Sequence, residues 1–288
     1  MFYDGTILHT LDDHLEERYS RCLERINSAE RIVMKFGTDA VNSIFNGYGD
    51  SLAADIHSEM SAGKDLIVIS SGAIGQGRRL KSIEEPDSVI ERSVYASLGQ
   101  PHLMYRWFSI LSPYGIHASQ LLYENENLTG RSTHRDYIKN GLESMLRNDI
   151  LPIVNENDAV TSEEISTSGK AKTFGDNDNL AMLVCELTDA DLMIFFTGSG
   201  GVYDDINDSS SLYDAIFSQD DGFYGRFADS ISPEGEGGMR SKLMTSAKLA
   251  DKGTPVIISS PERSNPLRSY RDGSLRQTVI VPPYHLLL

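Results

Sequence analysis

Five short apolar runs, each breaking off at a glycine or a small polar residue, constrain this chain most. They are RIVMKF before Gly37, DLIVIS before Ser71 and Gly72, LPIVN before Glu156, LMIFFT before Gly198, and PVIIS before Ser260. Runs of this length with no polar alternation predict strands buried on both faces. Between them lie segments with helical spacing, such as Leu180, Leu183, Val184 and Leu187, or Leu243, Ala247 and Ala250 ahead of Gly253 at a helix end. Strands alternating with helices predict an α/β fold, a three-layer αβα sandwich with a central, mostly parallel open sheet. In such sheets ligands gather at the carboxyl ends of the strands, where the punctuating residues of all five runs fall.

Composition narrows the function. The 288 residues are 40% hydrophobic and 24% charged, which excludes disordered and collagen-like classes. No apolar run of about 18 residues exists, and the acidic N-terminus lacks the basic-then-apolar order of a secretory signal, so a cytoplasmic protein without membrane attachment is expected. Cys22 and Cys185 stand far apart inside helical patterns and read as packing residues. A net charge of -16 argues against nucleic-acid binding. It also means that an anionic ligand needs a local concentration of lysines and backbone N–H groups to overcome the global field.

Residues 1–30 form a separate unit, an amphipathic helical extension with Leu15, Tyr19, Cys22, Leu23 and Ile26 on one face, expected to dock on its own chain or a sister subunit. Residues 204–230 are rich in acid and serine and read as a solvated surface excursion rather than a metal site.

Five constellations carry chemistry: MKFGTD (34–39), ISSGAIGQG (69–77), VNENDAV (154–160), FGDNDN (174–179) and GEGGMRSKL (235–243). In this order, with YASLGQPHLMYRW and YGIHASQLL between them, they resemble the glutamate 5-kinase branch of the amino acid kinase family over roughly residues 30–260. The resemblance implies a kinase domain over 31–288 and transfer of the ATP γ-phosphoryl group to the side-chain carboxylate of L-glutamate. That is the first step of proline biosynthesis, with Mg²⁺ carried as the nucleotide complex and no dedicated metal ligands. It further implies a homo-oligomer inhibited by proline.

The residues suit that reaction. A side-chain carboxylate is already ionised at neutral pH, so no general base is needed, and the obstacle is the repulsion between two anions. Lys35, at the end of the first run, precedes a glycine that lets the backbone approach phosphate, although a lysine there also simply marks a strand leaving the core. Lys242 falls in the first turn after GEGGM, where its ammonium and free N–H groups meet one anion; the alternative is an ordinary surface lysine. Asp176 suffices to cap the helix of the fourth constellation, which leaves Asn177 and Asp178 for other work. By resemblance Asp178 orients both lysines, Asn177, Ser71, Gly72 and Asp158 bind glutamate, and Lys35, Gly37, Thr197, Gly198, Gly237, Gly238, Met239 and Lys242 line the nucleotide site.

Three positions depart from the family pattern, and all lie on the nucleotide side. Gly198 stands where aspartate is usual, Glu236 where a small hydroxyl is usual, and Asp39 where serine follows Gly-Thr. Two alternatives therefore stay open: a kinase of the same fold acting on another small acid in a specialised pathway, and a catalytically weak regulatory homologue that binds glutamate or proline.

Overall fold

The computed structural model describes residues 13–82, 88–130, 132–160, 177–220, 238–262, 266–267 and 277–288. Its elements run α1 (Asp13–Ser28), β1 (Arg31–Phe36), α2 (Thr38–Ser43), α3 (Gly49–Ser61), β2 (Asp65–Ser70), α4 (Ala73–Lys81) and α5 (Val89–Leu111). Then follow β3 (His117–Tyr123), α6 (Asn125–Thr129), α7 (Ser132–Leu146), β4 (Ile150–Glu156), α8 (Asn177–Leu187) and β5 (Leu192–Phe196). The chain closes with β6 (Ala215–Phe217), α9 (Met239–Ala250), β7 (Val256–Ser259) and β8 (Thr278–Val281).

All five apolar runs are strands of one eight-stranded sheet in the order β3-β4-β2-β1-β5-β7-β8-β6. Every pairing is parallel except β7 with β8. Three strands, β3, β6 and β8, lie outside the five runs, the first two for physical reasons. Strand β3 is an edge strand of polar composition and mixed exposure, and β6 has only three residues, too few to show a period.

Side chains alternate between the faces of β1. Ile32, Met34 and Phe36 enter the core layer built with α1, α2, α3 and α5, whereas Val33 enters the layer built with α7, α8 and α9. Lys35 has the parity of Val33, so its ammonium is delivered to the side of the sheet covered by α8 and α9. On the opposite side, Phe36 stacks on Phe196 with centroids 4.7 Å apart, edged by Trp107 at 5.5 Å. This aromatic group fixes where β1 and β5 end.

The central strands end level with one another. Lys35 lies beside Ile69 of β2 and Phe195 of β5, and Phe36 beside Ser70 and Phe196. Ile69 lies beside Val154 of β4, so the next step of that register brings Asn155 level with Ser70. The residues after each strand therefore form one polar rim.

Helices α4 and α5 touch backbone to backbone. A Cβ on Gly77 would collide with the carbonyl oxygen of Tyr95, and one on Gly99 with that of Ala73. This contact holds the start of α4, and with it the Ser71–Gly72 turn, against α5.

Helix α1 docks on its own chain. Cys22 and Ile26 are fully buried, and Arg18 donates from Nε to Pro282 O (2.7 Å) and from Nη2 to Val281 O (3.2 Å), its guanidinium 4.7 Å from the Phe217 ring. Burial pushes the Cys22 thiol up to about 12 and raises that of Cys185, so both behave as packing groups. No helix among the described residues is long and apolar enough to cross a membrane.

Candidate active site

The three charged residues drawn from distant parts of the sequence meet in one cluster. Lys35 Nζ is 2.7 Å from Asp178 Oδ1, and Lys242 Nζ donates to Asp178 Oδ2 at 3.2 Å. Their side chains are 4%, 1% and 12% exposed for Lys35, Asp178 and Lys242. Each carboxylate oxygen serves one lysine, which fixes the spacing of the two ammonium groups. The three side chains by themselves sum to a charge of +1 in a chain of net charge -16. Such an excess, held away from bulk water, attracts a polyanion far more strongly than exposed lysines do. Burying each ion costs several kcal/mol of desolvation, so this cluster is costly to keep unless the charge is used.

The elements explain the convergence. Strand β1 delivers Lys35, α8 brings Asn177 and Asp178 in its first turn, and α9, which packs against α8, brings Lys242 in its own first turn. Asp176, the expected cap of α8, lies outside the described residues.

Beside this cluster sits a polar wall. Asn177 Nδ2 donates to Ser71 Oγ at 3.0 Å, joining α8 to the turn after β2. Ser71 N–H donates to Phe36 O, and Gly72 takes a left-handed φ of 108° as the residue preceding α4, a conformation that a side chain would strain. Beneath the turn, Trp107 Nε1 donates to Ser70 Oγ at 2.9 Å.

Two residues not singled out in the sequence complete the wall. Asn155 at the end of β4 donates from Nδ2 to Gln100 Oε1 of α5 at 2.9 Å, and both are buried. Gln100 Nε2, Asn155 Oδ1 and Asn177 Oδ1 are buried without a hydrogen-bond partner among the described residues. Buried amide atoms of this kind are normally paired, so three around one rim mark a place where a polar ligand supplies the partners. Asn155 stands inside VNENDAV and Gln100, 55 residues away, inside YASLGQPHLMYRW, but the sequence alone assigns neither a role.

Asp158 sits in the turn after β4, half-buried, and burial pushes its carboxyl up to about 6, opposed by the Arg92 guanidinium of α5. An acid made uncomfortable by desolvation is relieved by a cation placed beside it. The wall thus offers amide donors and acceptors together with one acid, which suits an amino acid's α-carboxylate and α-ammonium.

The other side of the cluster is built from small residues and main chain. A Cβ on Gly37 would stand 3.8 Å from Lys35 Nζ, so the glycine leaves the approach to that ammonium open. Thr197 Oγ1 accepts from Gly200 N–H at 3.1 Å and lies 3.1 Å from Ser199 Oγ, which shapes the turn after β5. Gly198 follows it and faces Asp39. Gly238 precedes α9 with no side-chain cap among the described residues, and the N-terminal turn of a helix is a setting that suits phosphate. Met239 is partly buried and packs on the core layer of α8 and α9. Glu236 and Gly237 lie outside the described residues. An open lysine, an uncapped helix start and glycine turns fit the triphosphate of ATP. The exposed Asp39 fits a Mg²⁺ ion carried with it, since that ion keeps most of its waters and takes one or two carboxylates.

A model of the amino acid kinase family matches residues 30–260 of the chain. The chain is 31% identical over 259 residues to a protein named glutamate 5-kinase from Methanococcoides burtonii, covering 87% of this chain and 67% of that protein. It is 34% identical over 238 residues to one of the same name from Shewanella sediminis, covering 80% and 62%. The chain therefore spans about two thirds of the length of these curated relatives. Among solved structures it is similar to a carbamate kinase from Giardia, with a TM-score of 0.58 and 13% identity over 89% of this chain and 100% of that one, a likeness of fold.

Proposed function

The chain belongs to the amino acid kinase family, and we propose that it transfers the γ-phosphoryl group of ATP to the side-chain carboxylate of L-glutamate, giving L-glutamyl 5-phosphate and ADP. The observation that carries this reading is the buried cluster in which Asp178 spaces Lys35 and Lys242. Two mutually repelling anions react only where their charge is met, and this pocket meets it with two fixed ammonium groups.

In this reading Ser71, Gly72, Asn155, Gln100 and Asn177 hold glutamate by its polar groups while Asp158 faces its ammonium. Lys35, Gly37, Thr197, Gly238 and the first turn of α9 hold the phosphates. The side-chain carboxylate, with an ordinary pKa of about 4.3, attacks as the anion it already is. One of its oxygens bonds to the γ-phosphorus as the bond from that phosphorus to the β,γ-bridging oxygen breaks, and ADP leaves with the electron pair. Lys35 and Lys242 neutralise the charge that spreads over the transferred oxygens, and Asp178 keeps them in place throughout. A bound Mg²⁺ supplies further neutralisation of the β- and γ-phosphates.

Residues 31–288 form the kinase domain of this reading, and α1 is an appended clamp on its closing strand, in a cytoplasmic enzyme of proline biosynthesis. L-Proline, which shares the α-carboxylate and a cationic nitrogen, is the feedback inhibitor. The chain also self-associates. Ile90, Val94, Leu98, Tyr105 and Phe108 are exposed along one stripe of α5, and a two-fold antiparallel pairing of that stripe brings the Ile90 end of one copy to the Phe108 end of the other. Val94→Glu is expected to shift the sedimentation coefficient to that of a smaller species.

The reaction is tested by coupled ADP release with glutamate, aspartate, N-acetylglutamate and carbamate as acceptors. Turnover with glutamate alone is expected. Turnover only with another acid makes the chain a kinase of a different pathway, and glutamate or proline binding without turnover makes it a regulatory homologue.

A further inference from the structure

The backbone does not require glycine at position 198. Its φ lies outside the left-handed range, and a Cβ built there meets only Asp39 Cβ among the described atoms, at 3.7 Å, an ordinary van der Waals distance. What stands beside this glycine is an acid.

Asp39 lies in the first turn of α2 and is exposed. Gly198 lies just beyond β5. Strands β1 and β5 are neighbours whose ends are level, Phe36 beside Phe196, and Gly37 N–H donates to Phe196 O at 3.3 Å, which ties the two loops at their roots. The loop after β1 therefore brings a carboxylate to the spot where the loop after β5 lacks a side chain. By the resemblance drawn from the sequence, serine is usual at 39 and aspartate at 198, and the structure makes these two positions neighbours. The acid stands at one strand end and the glycine at the next, although 159 positions separate the two in the chain.

We propose that Asp39 is a nucleotide-positioning residue whose carboxylate accepts hydrogen bonds from donor groups of MgATP, its metal-bound waters or its ribose hydroxyls, in place of a side chain at position 198. The proposal rests on reading the pocket as an ATP site. A bare carboxylate turned toward a triphosphate is repelled. The hydrated Mg²⁺ ion and the ribose hydroxyls are the donors that the nucleotide itself brings. Glycine at 198 follows from the same geometry, because a second carboxylate within one side-chain length of Asp39 would set two like charges on the same donors.

The experiment is calorimetric titration of the full chain with MgATP, comparing wild type, Asp39→Ser, Gly198→Asp and the double variant, with thermal unfolding as the check on folding. Each single substitution is expected to weaken MgATP binding about tenfold, the scale of one hydrogen bond to a charged group, and to leave glutamate binding unchanged. The double variant is expected to return to within about threefold of wild type, far from the additive result that independent sites give. Titration with 2′-deoxy- and 3′-deoxy-ATP, and with ATP lacking Mg²⁺, identifies the donor as the one whose removal abolishes the effect of Asp39→Ser. An effect that survives removal of both donors overturns the proposal. So does an additive double variant, or an Asp39→Ser protein that binds MgATP as wild type does. A wild-type chain that binds glutamate but no MgATP overturns the ATP-site reading as well.

Discussion

Where β2, β4 and α8 meet, Ser71 and Asn177 hold each other, Gln100 and Asn155 hold each other, and buried amide atoms are left over. Where β1, β5 and α9 meet, Gly37, Gly198 and Gly238 leave main chain uncovered and few side chains take part. The first side is built to be selective, since a ligand that fails to match a buried donor or acceptor forfeits the full cost of leaving it unpaired. In the proposed reading the second binds phosphate through backbone N–H groups and lysines, whose action depends little on the identity of neighbouring side chains. By the resemblance drawn from the sequence, Asp39 and Gly198 depart from the family pattern, and both fall on this second side. Substitution is cheap where the main chain does the binding.

The largest expected effect breaks the comparison, because Asp178 serves both sides. Asp178→Asn is expected to lower turnover by about 100- to 1000-fold and stability by about 3–5 kcal/mol, read by ADP release and thermal unfolding, as it strands two buried ammonium groups. Lys242→Met is expected to lower turnover on the same scale, about 100- to 1000-fold, while glutamate binding by calorimetry stays unchanged.

Two substitutions confined to the acceptor side sharpen it. Gly99→Ala forces α5 off α4 and is expected to cost about 1–3 kcal/mol or more in unfolding free energy, with the KM for glutamate raised and that for ATP unmoved. Gln100→Ala removes a buried partner of Asn155 and is expected to weaken glutamate binding about 10- to 100-fold, again without effect on MgATP.

The gentlest probe is pH. The Asp158 carboxyl must be ionised to meet an ammonium, so below its pKa of about 6 glutamate affinity is expected to fall, by about tenfold per unit well below it. MgATP binding over the same range is expected to change little. For stability the sign is opposite. With its folded pKa raised, Asp158 binds its proton more tightly in the folded than in the unfolded chain, so its contribution declines as pH rises from about 4 through about 6. Asp158→Asn is therefore expected to stabilise the unliganded protein at pH 7, on the order of 1 kcal/mol after allowance for its partial exposure, while weakening glutamate binding.

Much of the fold was legible because burial on both faces writes itself into composition. RIVMKF, DLIVIS and LMIFFT carry no alternation to misread, and the stop after each is a glycine or small polar residue. Strand β3, HASQLLY, was not legible, since an edge strand with mixed exposure carries neither a clean run nor a clean alternation. In the site, Lys35, Asp178 and Lys242 were found through motifs, and the structure sets them in contact. Gln100 and Asn155 form a pair across 55 residues, and nothing in a local window distinguishes a buried glutamine that meets a ligand from one that fills a helix.

The sequence by itself determined the alternation of strand and helix, the polar rim at the strand ends, and the kinds of charge the pocket contains, because each of these depends on neighbours within a few residues. Only the tertiary structure decided which face of the sheet receives Lys35, that one carboxylate spaces two lysines 207 positions apart in the chain, and that Asp39 lies against Gly198. These follow from strand order and register, which arise from long-range packing and leave no trace within any short stretch of the chain.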